Sequence, residues 1–426
     1  MSRDRHAARS LGAVSATGEI SEARKRALRE AVERRRDELV ELACELVRQP
    51  STLGHEEPAQ TLIDERLRAI GFDVERIRPD ADAALADPYA GYPYLPYDGR
   101  SSVAARLPGS DSGRSLHLTG HVDVVPVERP DLWEHEPWSA EVADGKIWGR
   151  GAGDMKGGLA AYLIAAAAVA EVCNDRRGDL LFSSVIEEEC GGNGMWSVLR
   201  AGYDADAVLI GESSALRLAH AGTGVVWARL SAAGGTGHAM LAGGDGPFDR
   251  LCRAVAGLRR LESEINEPVR DPVFAAVRER PYGMTIGRID GGVWTASTPH
   301  ELVARVRFGF GRDLEPAEVQ DRMREAVRDA SPEVDVHFEA FRARAYCHPT
   351  SGPLVDTVSA AHRSVIESKV ETMAFTATTD ARYVEGPCLC YGPSAGNLHG
   401  TDEWVDVATL VETATVVAAA AAAWTS

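Results

Sequence analysis

Apolar residues recur at helical or strand spacing along most of the chain. After Ser21 they recur at helical spacing through Leu46, so the pattern predicts one long helix that ends before Pro50. Further helices are predicted over 58–70, 157–172, 195–202, 248–266, 316–330, 354–370 and 410–424. Strands are predicted over 103–107, 115–118, 180–186, 207–210, 217–231, 284–289, 302–310, 334–338 and 388–391.

The order of these elements predicts the fold class. Strands and helices alternate in the first half, which is typical of an α/β fold with a mostly parallel sheet and helices on both faces. Between 216 and 342 the order changes to strand-helix-strand-strand-helix-strand, which predicts a small ferredoxin-like α+β insert. We therefore expect a flexible N-terminus (1–20) and a catalytic domain in two parts (21–215 and 343–426) around the insert (216–342).

Length and composition support this organisation and limit the partners. A chain of 426 residues is too long for one hydrophobic core. A net charge of -18 disfavours nucleic acid and anionic membrane as partners. We find neither a secretory leader nor an apolar run of about 18 residues, and the seven scattered cysteines suit reduced thiols. A cytoplasmic protein without a membrane span is the expectation.

The first candidate for chemistry is His121-Val122-Asp123, which follows a predicted strand. In an extended segment, residues two apart point the same way. Asp123 can therefore stand behind His121 and accept its second ring N–H, the arrangement that orients a metal-binding histidine. The alternative is an ordinary turn that contains a histidine and an aspartate.

A glycine-rich loop, 149–158, carries Asp154 and precedes a helix. A phosphate cradle is the rival interpretation. The spacing matches neither the dinucleotide fingerprint nor a P-loop, because Lys156 is followed by glycine rather than serine or threonine. The glycines instead favour a sharp turn that projects Asp154 into a site.

Three further positions follow predicted strands. Glu187, Glu188 and Glu189 are consecutive, and packing three carboxylates together costs stability unless a cation compensates. Glu212 and His399 lie in polar loops after two other strands. Each alone also fits a solvated turn. Ligand sites in α/β sheets lie beyond the carboxyl ends of strands, and imidazole with carboxylate suits zinc, cobalt or manganese.

Together these segments resemble one family. Residues 120–123, 149–158, 187–194, 211–213 and 399–403 follow the order and approximate spacing found in the metallopeptidase and deacylase group. That group includes acetylornithine deacetylase, succinyl-diaminopimelate desuccinylase, aminoacylase and carboxypeptidase G. The resemblance extends over nearly the whole chain from about residue 30.

The resemblance implies two divalent metal ions, with zinc expected first. Asp154 would bridge both ions, His121 and Glu212 would complete one site, and Glu189 and His399 the other. Glu188 would be the general base toward the attacking water, and Asp123 would orient His121. The reaction implied is hydrolysis of the amide bond of a small N-acylated amine or amino acid.

The insert carries the remaining implied roles. The segment 233–239 resembles one in which a histidine reaches a neighbouring subunit's site, so His238 is the candidate oxyanion donor. A homodimer through the insert, which also acts as a lid, follows as an expectation. The family's carboxylate-binding arginine position holds Gly309, and Arg307, on the same strand face, is the candidate substitute. Thr379–Arg382 resembles a further family segment, to which only support of the site is assigned.

Two alternatives stay open at this point. A dipeptidase or carboxypeptidase of the same fold differs only in substrate contacts of the insert, which the sequence does not resolve. A non-catalytic relative that binds metal or peptide predicts loss of a ligand or of the base, and here all six positions are intact.

Overall fold

The computed structural model describes residues 20–235 and 244–426. A large mixed sheet forms the first layer of the fold. Its strand order is β1-β2-β6-β3-β7-β15-β8-β13, and β14 also pairs with β8. The four central strands run parallel, while antiparallel strands flank them on both sides. The strands are β1 Asp73–Ile77, β2 Ser102–Leu107, β3 Leu116–His121, β6 Leu180–Val185, β7 Ala207–Ile210, β8 Leu218–Gly222, β13 Tyr346–Cys347, β14 Thr372–Ala374 and β15 Cys388–Cys390.

Helices cover both faces of this sheet. Alternate residues of β7 show the division, since Ala207 and Leu209 belong to one apolar cluster and Val208 and Ile210 to another. The first cluster includes most of the helices, and the second includes α6. The helices of this layer are α1 Glu22–Arg34, α2 Arg36–Val47, α3 Glu57–Ile70, α4 Ala81–Ala86, α5 Gly157–Val172, α6 Asn193–Arg200, α10 Pro353–Ile366 and α11 Val407–Trp424. The predicted α/β class is confirmed.

Two helices in the described part of the chain are long and apolar enough to cross a membrane by length and composition alone. They cover Ala152–Val172 and Val407–Trp424, and polar residues interrupt the apolar run in each of them. The fold buries 83% of one apolar window and 67% of the other, and the two helices pack against each other. A buried core helix rich in alanine passes the same test of composition.

A second, four-stranded antiparallel sheet has its own core. Its order is β10-β11-β9-β12, and helices α7 and α9 pack on one face of it. Read from β9, this is the strand order of a ferredoxin-like unit, as predicted. Its elements are β9 Gly224–Ala233, α7 Pro247–Asn266, α8 Pro272–Ala275, β10 Met284–Gly291, β11 Glu301–Phe310, α9 Pro316–Ala330 and β12 Val334–Ala343.

A third, small sheet joins distant parts of the chain. It contains β4 Glu141–Ala143, β5 Lys146–Trp148, β16 Ala395–Gly396 and β17 Trp404–Asp406. β17 pairs with β5 in antiparallel register, Trp404 opposite Trp148. The loop after β5 and the loop between β16 and β17 are therefore held side by side. No strand was predicted here, because two- and three-residue strands carry no periodicity of their own.

Several predicted boundaries differ from the structure. The helix predicted from Ser21 to Pro50 breaks at Arg35, whose N–H bonds the carbonyl of Val32 at 2.9 Å, a 3-10 pattern. The strand predicted over 217–231 is two strands, and the chain passes from the large sheet to the insert at Thr223. The insert limits of 216 and 342 stay a prediction. Strand β8 lies within these limits but belongs to the large sheet. The helix predicted to 370 ends at Ile366, where Glu367 adopts a left-handed conformation.

Candidate active site

Three central strands deliver four of the predicted residues to one edge of the large sheet. His121 is the last residue of β3, Glu188 and Glu189 follow β6, and Glu212 follows β7. The three strands are adjacent and parallel, so their carboxyl ends meet. This is the position at which α/β sheets bind ligands.

The glycine-rich loop delivers Asp154 to the same edge. Gly151 has φ +81°, a left-handed turn that glycine adopts readily, and the Asp154–Met155 peptide is cis. Glu403, buried at the end of the neighbouring loop, accepts hydrogen bonds from the backbone N–H of Gly153 at 3.0 Å and of Asp154 at 2.9 Å. Arg150 forms an ion pair with the second oxygen of Glu403. The backbone of Asp154 is thus held from the β16–β17 loop.

The Asp154 carboxylate lies between two histidines. One oxygen is 3.1 Å from His121 Nε2, and the other is 3.3 Å from His399 Nε2. His399 Nε2 also lies 3.1 Å from Glu189 Oε1, and His121 Nε2 lies 3.8 Å from Glu212 Oε1. Donor atoms of His121, Asp154 and Glu189 fall within 4.8 Å of one another. The five predicted ligands therefore converge.

The electrostatics of this cluster are those of crowded carboxylates. Burial, together with the charge of Asp154, raises the pKa of Glu212 to about 8. The charge of Glu189 raises the pKa of His399 to about 11. Burial alone would lower the pKa of His121, but its contact with Asp154 raises it well above the usual value. Each shift reports an excess of negative charge that positive charge would relieve.

Asp123 holds His121 through a different atom from the one predicted. His121 Nδ1 lies 2.9 Å from the backbone carbonyl oxygen of Asp123, whereas the Asp123 carboxylate is 3.8 Å away. That carboxylate accepts hydrogen bonds from the backbone N–H of Glu188 and Glu189, both at 3.1 Å. The prediction of a side-chain contact was wrong because the carboxylate satisfies two amides at the turn after β6. Asp123 links the histidine to the glutamate turn.

Glu188 faces a buried cation. Its Oε1 lies 3.6 Å from Nη1 of Arg382 and has no hydrogen-bond partner within the described ranges. Burial and the nearby charge of Asp380 raise the pKa of Glu188 well above its usual value. Arg382 is fixed by the carbonyl oxygens of Thr379 at 2.9 Å and Gly191 at 3.0 Å. A carboxyl with an unpaired oxygen beside the ligand cluster suits proton transfer.

Glu187 points away from the cluster. It accepts hydrogen bonds from the Tyr97 hydroxyl at 3.0 Å and the Asn193 amide at 3.1 Å, and Arg100 lies 3.6 Å from its other oxygen. Burial raises the pKa of Glu187 to about 8. The three consecutive glutamates thus have three different environments.

A cavity of about 290 Å³ opens beside the cluster. Asp154, Glu188, Glu189, Glu212 and His399 line one side, and insert residues that include Arg307 line the other. Arg307 donates a hydrogen bond to the carbonyl of Gly283 at 3.1 Å. Burial, and then the charge of Arg278, lower the pKa of Arg307. The second insert candidate, His238, lies outside the described residues.

The model of Peptidase family M20/M25/M40 matches residues 117–423 of this chain. The chain belongs to this family. The predicted resemblance is confirmed, and with it the prediction of an amide-bond hydrolase as the class of enzyme.

Relatives in this family match over most of their length. The chain is 27% identical to N-formyl-4-amino-5-aminomethyl-2-methylpyrimidine deformylase of Bacillus subtilis, over 94% of this chain and 97% of the relative. It is 26% identical to succinyl-diaminopimelate desuccinylase of Hahella chejuensis, over 86% and 91%. The solved structure of human carnosine dipeptidase 1 has a TM-score of 0.74 at 16% identity, covering 94% of this chain and 99% of that one. This last likeness shows the fold.

The residues of this M20 family member fit divalent metal. The donor set is imidazole and carboxylate without thiolate, which suits zinc, cobalt or manganese. The pKa shifts of Glu212 and His399 show that the carboxylates lack compensating charge. The chemistry of the donors and their convergence both agree with the predicted cofactor.

The sequence did not predict the roles of two buried residues around the site, Glu403 and Arg382. Glu403 lies in the segment 399–403, but the sequence predicted no function for it. Its contact with the Asp154 loop depends on the β5–β17 pairing. Arg382 was predicted only to support the site in a general way. Its approach to Glu188 depends on the short turn Asp380–Tyr383. A buried charged residue within a motif was the available signal in both cases.

Proposed function

We propose that this chain is a dinuclear metal-dependent amidohydrolase that removes the acyl group from a small N-acylated amine or amino acid. The observation that carries the proposal is the position of Asp154, with one carboxylate oxygen toward each of two histidines. A carboxylate placed in this way suits a bridge between two ions. The names of the deformylase and desuccinylase relatives support a deacylase within the family.

The ligands divide into two sets around Asp154. His121 and Glu212 would hold one ion, and Glu189 and His399 the other, in agreement with their pairwise distances. When bound, divalent zinc polarises a carbonyl and lowers the pKa of water to about 7. Cobalt and manganese are the alternatives.

Glu188 is the proposed general base. It would take a proton from the attacking water and return that proton to the leaving amine. Its Oε1 is free of hydrogen bonds within the described ranges, and Arg382 limits where the carboxyl points. The backbone carbonyl of Asp123 keeps His121 Nδ1 protonated, so that Nε2 carries the lone pair for a metal.

Arg307 is the proposed partner of a substrate carboxylate. It lines the cavity on the side opposite the ligands, and its guanidinium carries no carboxylate partner among the contacts of the described residues. A small acyl amino acid would place its amide at the ligands and its carboxylate at Arg307. The lowered pKa of Arg307 reflects burial of a charge that an anion would stabilise.

A homodimer through the insert, with His238 as an oxyanion donor from the neighbouring subunit, stays a prediction, as does a cytoplasmic location. Exposed apolar side chains on the insert support a self-association surface. Val293 is 98% exposed and Trp294 72%, and both lie in the turn between β10 and β11. Exposed apolar groups of this kind mark contact surfaces when they cluster.

The metal requirement is tested by removing and restoring the ions. Purified protein should contain up to two divalent ions per chain, chelation should abolish amide hydrolysis, and zinc or cobalt should restore it. Substrates are N-formyl, N-acetyl and N-succinyl amino acids with dipeptides for comparison. Fewer than one ion per chain, together with no hydrolysis after zinc or cobalt is added, would sink the proposal.

The base is tested with two neighbouring glutamates. Glu188→Gln should lower kcat by at least about a thousandfold, with metal content unchanged, because the amide cannot accept the proton. Glu187→Gln is the matched control. It keeps an acceptor for Tyr97 and Asn193, so kcat should change by less than about threefold while the melting temperature falls. Loss of metal in Glu188→Gln would mean that Glu188, not Glu189, is a ligand.

A further inference from the structure

The cavity beside the metal-ligand cluster has an aromatic wall. Trp227 and Phe341 of the insert and Phe375 of the catalytic layer line it. Trp227 and Phe375 are half-buried, so each ring leaves part of its surface open. Rings of this kind in a concave site present apolar surface that a ligand can cover.

The register of the insert sheet sets which side chains face the cavity. Val226, Ala228 and Leu230 of β9 point to the core under α7 and α9. The alternate residues therefore lie on the opposite face. There Trp227 is directly opposite Arg307 of β11, and both side chains line the cavity.

A glycine makes room for the guanidinium. A Cβ on Gly309, two residues beyond Arg307, would lie 3.3 Å from Arg307 Nη1. The side chain of Arg307 thus runs along β11 over the space that Gly309 leaves open. Arginine at 307 and glycine at 309 together place the cation beside the carbonyl of Gly283, in the cavity that Trp227 also lines.

A chain of contacts links the aromatic wall to Glu188, the proposed base. Trp227 and Phe341 pack edge to face, with centroids 5.1 Å apart and planes at 62°. The guanidinium of Arg382 lies 5.3 Å from the centroid of Phe341 and 3.6 Å from Glu188 Oε1. Contacts through Phe341 and Arg382 thus connect Trp227 with the proposed base, and such packing pre-organises a surface before binding.

The charges that line the cavity bear on the polar edge of the substrate. Apart from the metal-site residues, Arg307 is the one charged side chain among the described residues that line it. Glu339, opposite Trp227 on β12, is paired with Arg305 at 2.9 Å. A substrate ring with an anionic or acceptor edge would therefore meet both the aromatic wall and this cation.

We propose that the substrate of this site carries a flat aromatic or heteroaromatic group, which packs against Trp227 and Phe375 with its polar edge toward Arg307. This inference rests on the proposed deacylase function and names its substrate class. The cavity of about 290 Å³ lies at the small end of the range for ligand pockets and has room for such a group.

Matched substrates test the inference with the zinc-loaded enzyme. N-acetyl-L-phenylalanine is compared with N-acetyl-L-leucine, which places the ring on the amine side. N-benzoylglycine is compared with N-acetylglycine, which places it on the acyl side. We expect kcat/KM to favour the ring in one of the two pairs by about tenfold or more, and that pair identifies the side of the amide that the wall contacts.

Three variants separate the wall from the general stability of the insert. Trp227→Leu should reduce the ring preference about three- to tenfold, the range expected for one aromatic contact. Trp227→Phe should retain most of it. Phe248→Leu is the control, since that phenylalanine of α7 is 63% exposed and does not line the cavity. Phe375→Leu, in the other layer, carries the test if Trp227→Leu does not fold.

The two proposals fail differently. Hydrolysis that favours the aliphatic member of both pairs, or a ring preference that a folded Trp227→Leu or Phe375→Leu variant leaves unchanged, overturns the aromatic site and leaves the deacylase standing. No metal-dependent hydrolysis of any of the four compounds or of the formyl and succinyl series overturns the deacylase, and the aromatic site falls with it.

Discussion

Arg382 explains how three consecutive glutamates can fit at the end of β6. Its guanidinium is buried, donates to the carbonyls of Thr379 and Gly191, and stands 3.6 Å from Glu188 Oε1. The site for it exists because residue 192 is glycine. A Cβ there would lie 1.9 Å from Arg382 Nη2, and φ at this position is +79°. Arg382 thus places a positive charge beside Glu188, the proposed base. It also fixes the turn that carries Glu188 and the proposed ligand Glu189.

We expect Arg382 to be a positioning residue. Arg382→Gln should lower kcat by about a hundredfold with KM changed less than threefold, because a base displaced by about 1 Å loses reach to the proton. Arg382→Lys should recover part of this loss, since it restores the charge without the planar fork of two donor nitrogens. Steady-state kinetics measures both, and zinc content checks the ligands. Equal losses in the two variants, or a loss in KM alone, would contradict the role.

At the scale of elements, the small sheet decides where two ligand loops meet. β5 leads into the Asp154 loop, and β16 and β17 flank the loop with His399 and Glu403. Glu403 then caps the Asp154 backbone through two N–H groups. Pairing of β5 with β17 therefore brings the proposed bridging carboxylate and a histidine together across about 250 residues of sequence.

Loss of this cap should weaken metal binding. Glu403→Ala is expected to raise the zinc Kd by roughly 10- to 100-fold, the usual effect of removing a group that orients a metal ligand. Competition with a chromophoric chelator measures it. Asp402→Asn is the control on the adjacent residue, which accepts from the N–H groups of Glu134 and His135 instead. The same Kd in Glu403→Ala as in the unsubstituted enzyme would rule out this function of the hairpin.

At the scale of the whole molecule, the central sheet contains a buried histidine without a counter-charge. His117, in β3, is fully buried, and its Nε2 lies 2.8 Å from Ser183 Oγ in β6. Burial lowers the pKa of His117 to about 3, from 6.5 in the unfolded chain. Between these values the unfolded state binds a proton that the folded state does not, so stability is lost as pH falls below 6.5.

His117 should therefore make its own contribution to the acid sensitivity of the fold. Relative to His117→Gln, the metal-free protein should lose about 1.4 kcal/mol of unfolding free energy per pH unit between pH 6 and 4. Thermal unfolding at several pH values measures the difference in slope. His300→Gln, at an exposed histidine of the insert, should leave the slope unchanged. Parallel pH dependences for the His117→Gln variant and the unsubstituted protein would refute the explanation.

How much could be predicted from the sequence differs between these scales. The helices Gly157–Val172 and Pro316–Ala330 were predicted to the residue. The first is apolar on all sides, and the second repeats its apolar residues on the one face that is buried. The large sheet's class and the insert's topology followed from element order. The five residues of the candidate ligand cluster were also predicted, since each follows a strand or a glycine-rich turn. The short strands of the third sheet and the break at Arg35 were not, because neither leaves a periodic signal.

The sequence by itself determined the long elements, the family and the set of proposed donors His121, Asp154, Glu189, Glu212 and His399. Only the tertiary structure decided which atoms meet. It assigned the His121 contact to the carbonyl rather than the carboxylate of Asp123, separated Glu187 from its two neighbours, and placed Arg382, Glu403 and the wall around Trp227. The reason is physical, since strand ends and turns are fixed by local chemistry, whereas contacts among buried polar groups depend on sheet register between segments far apart in the chain.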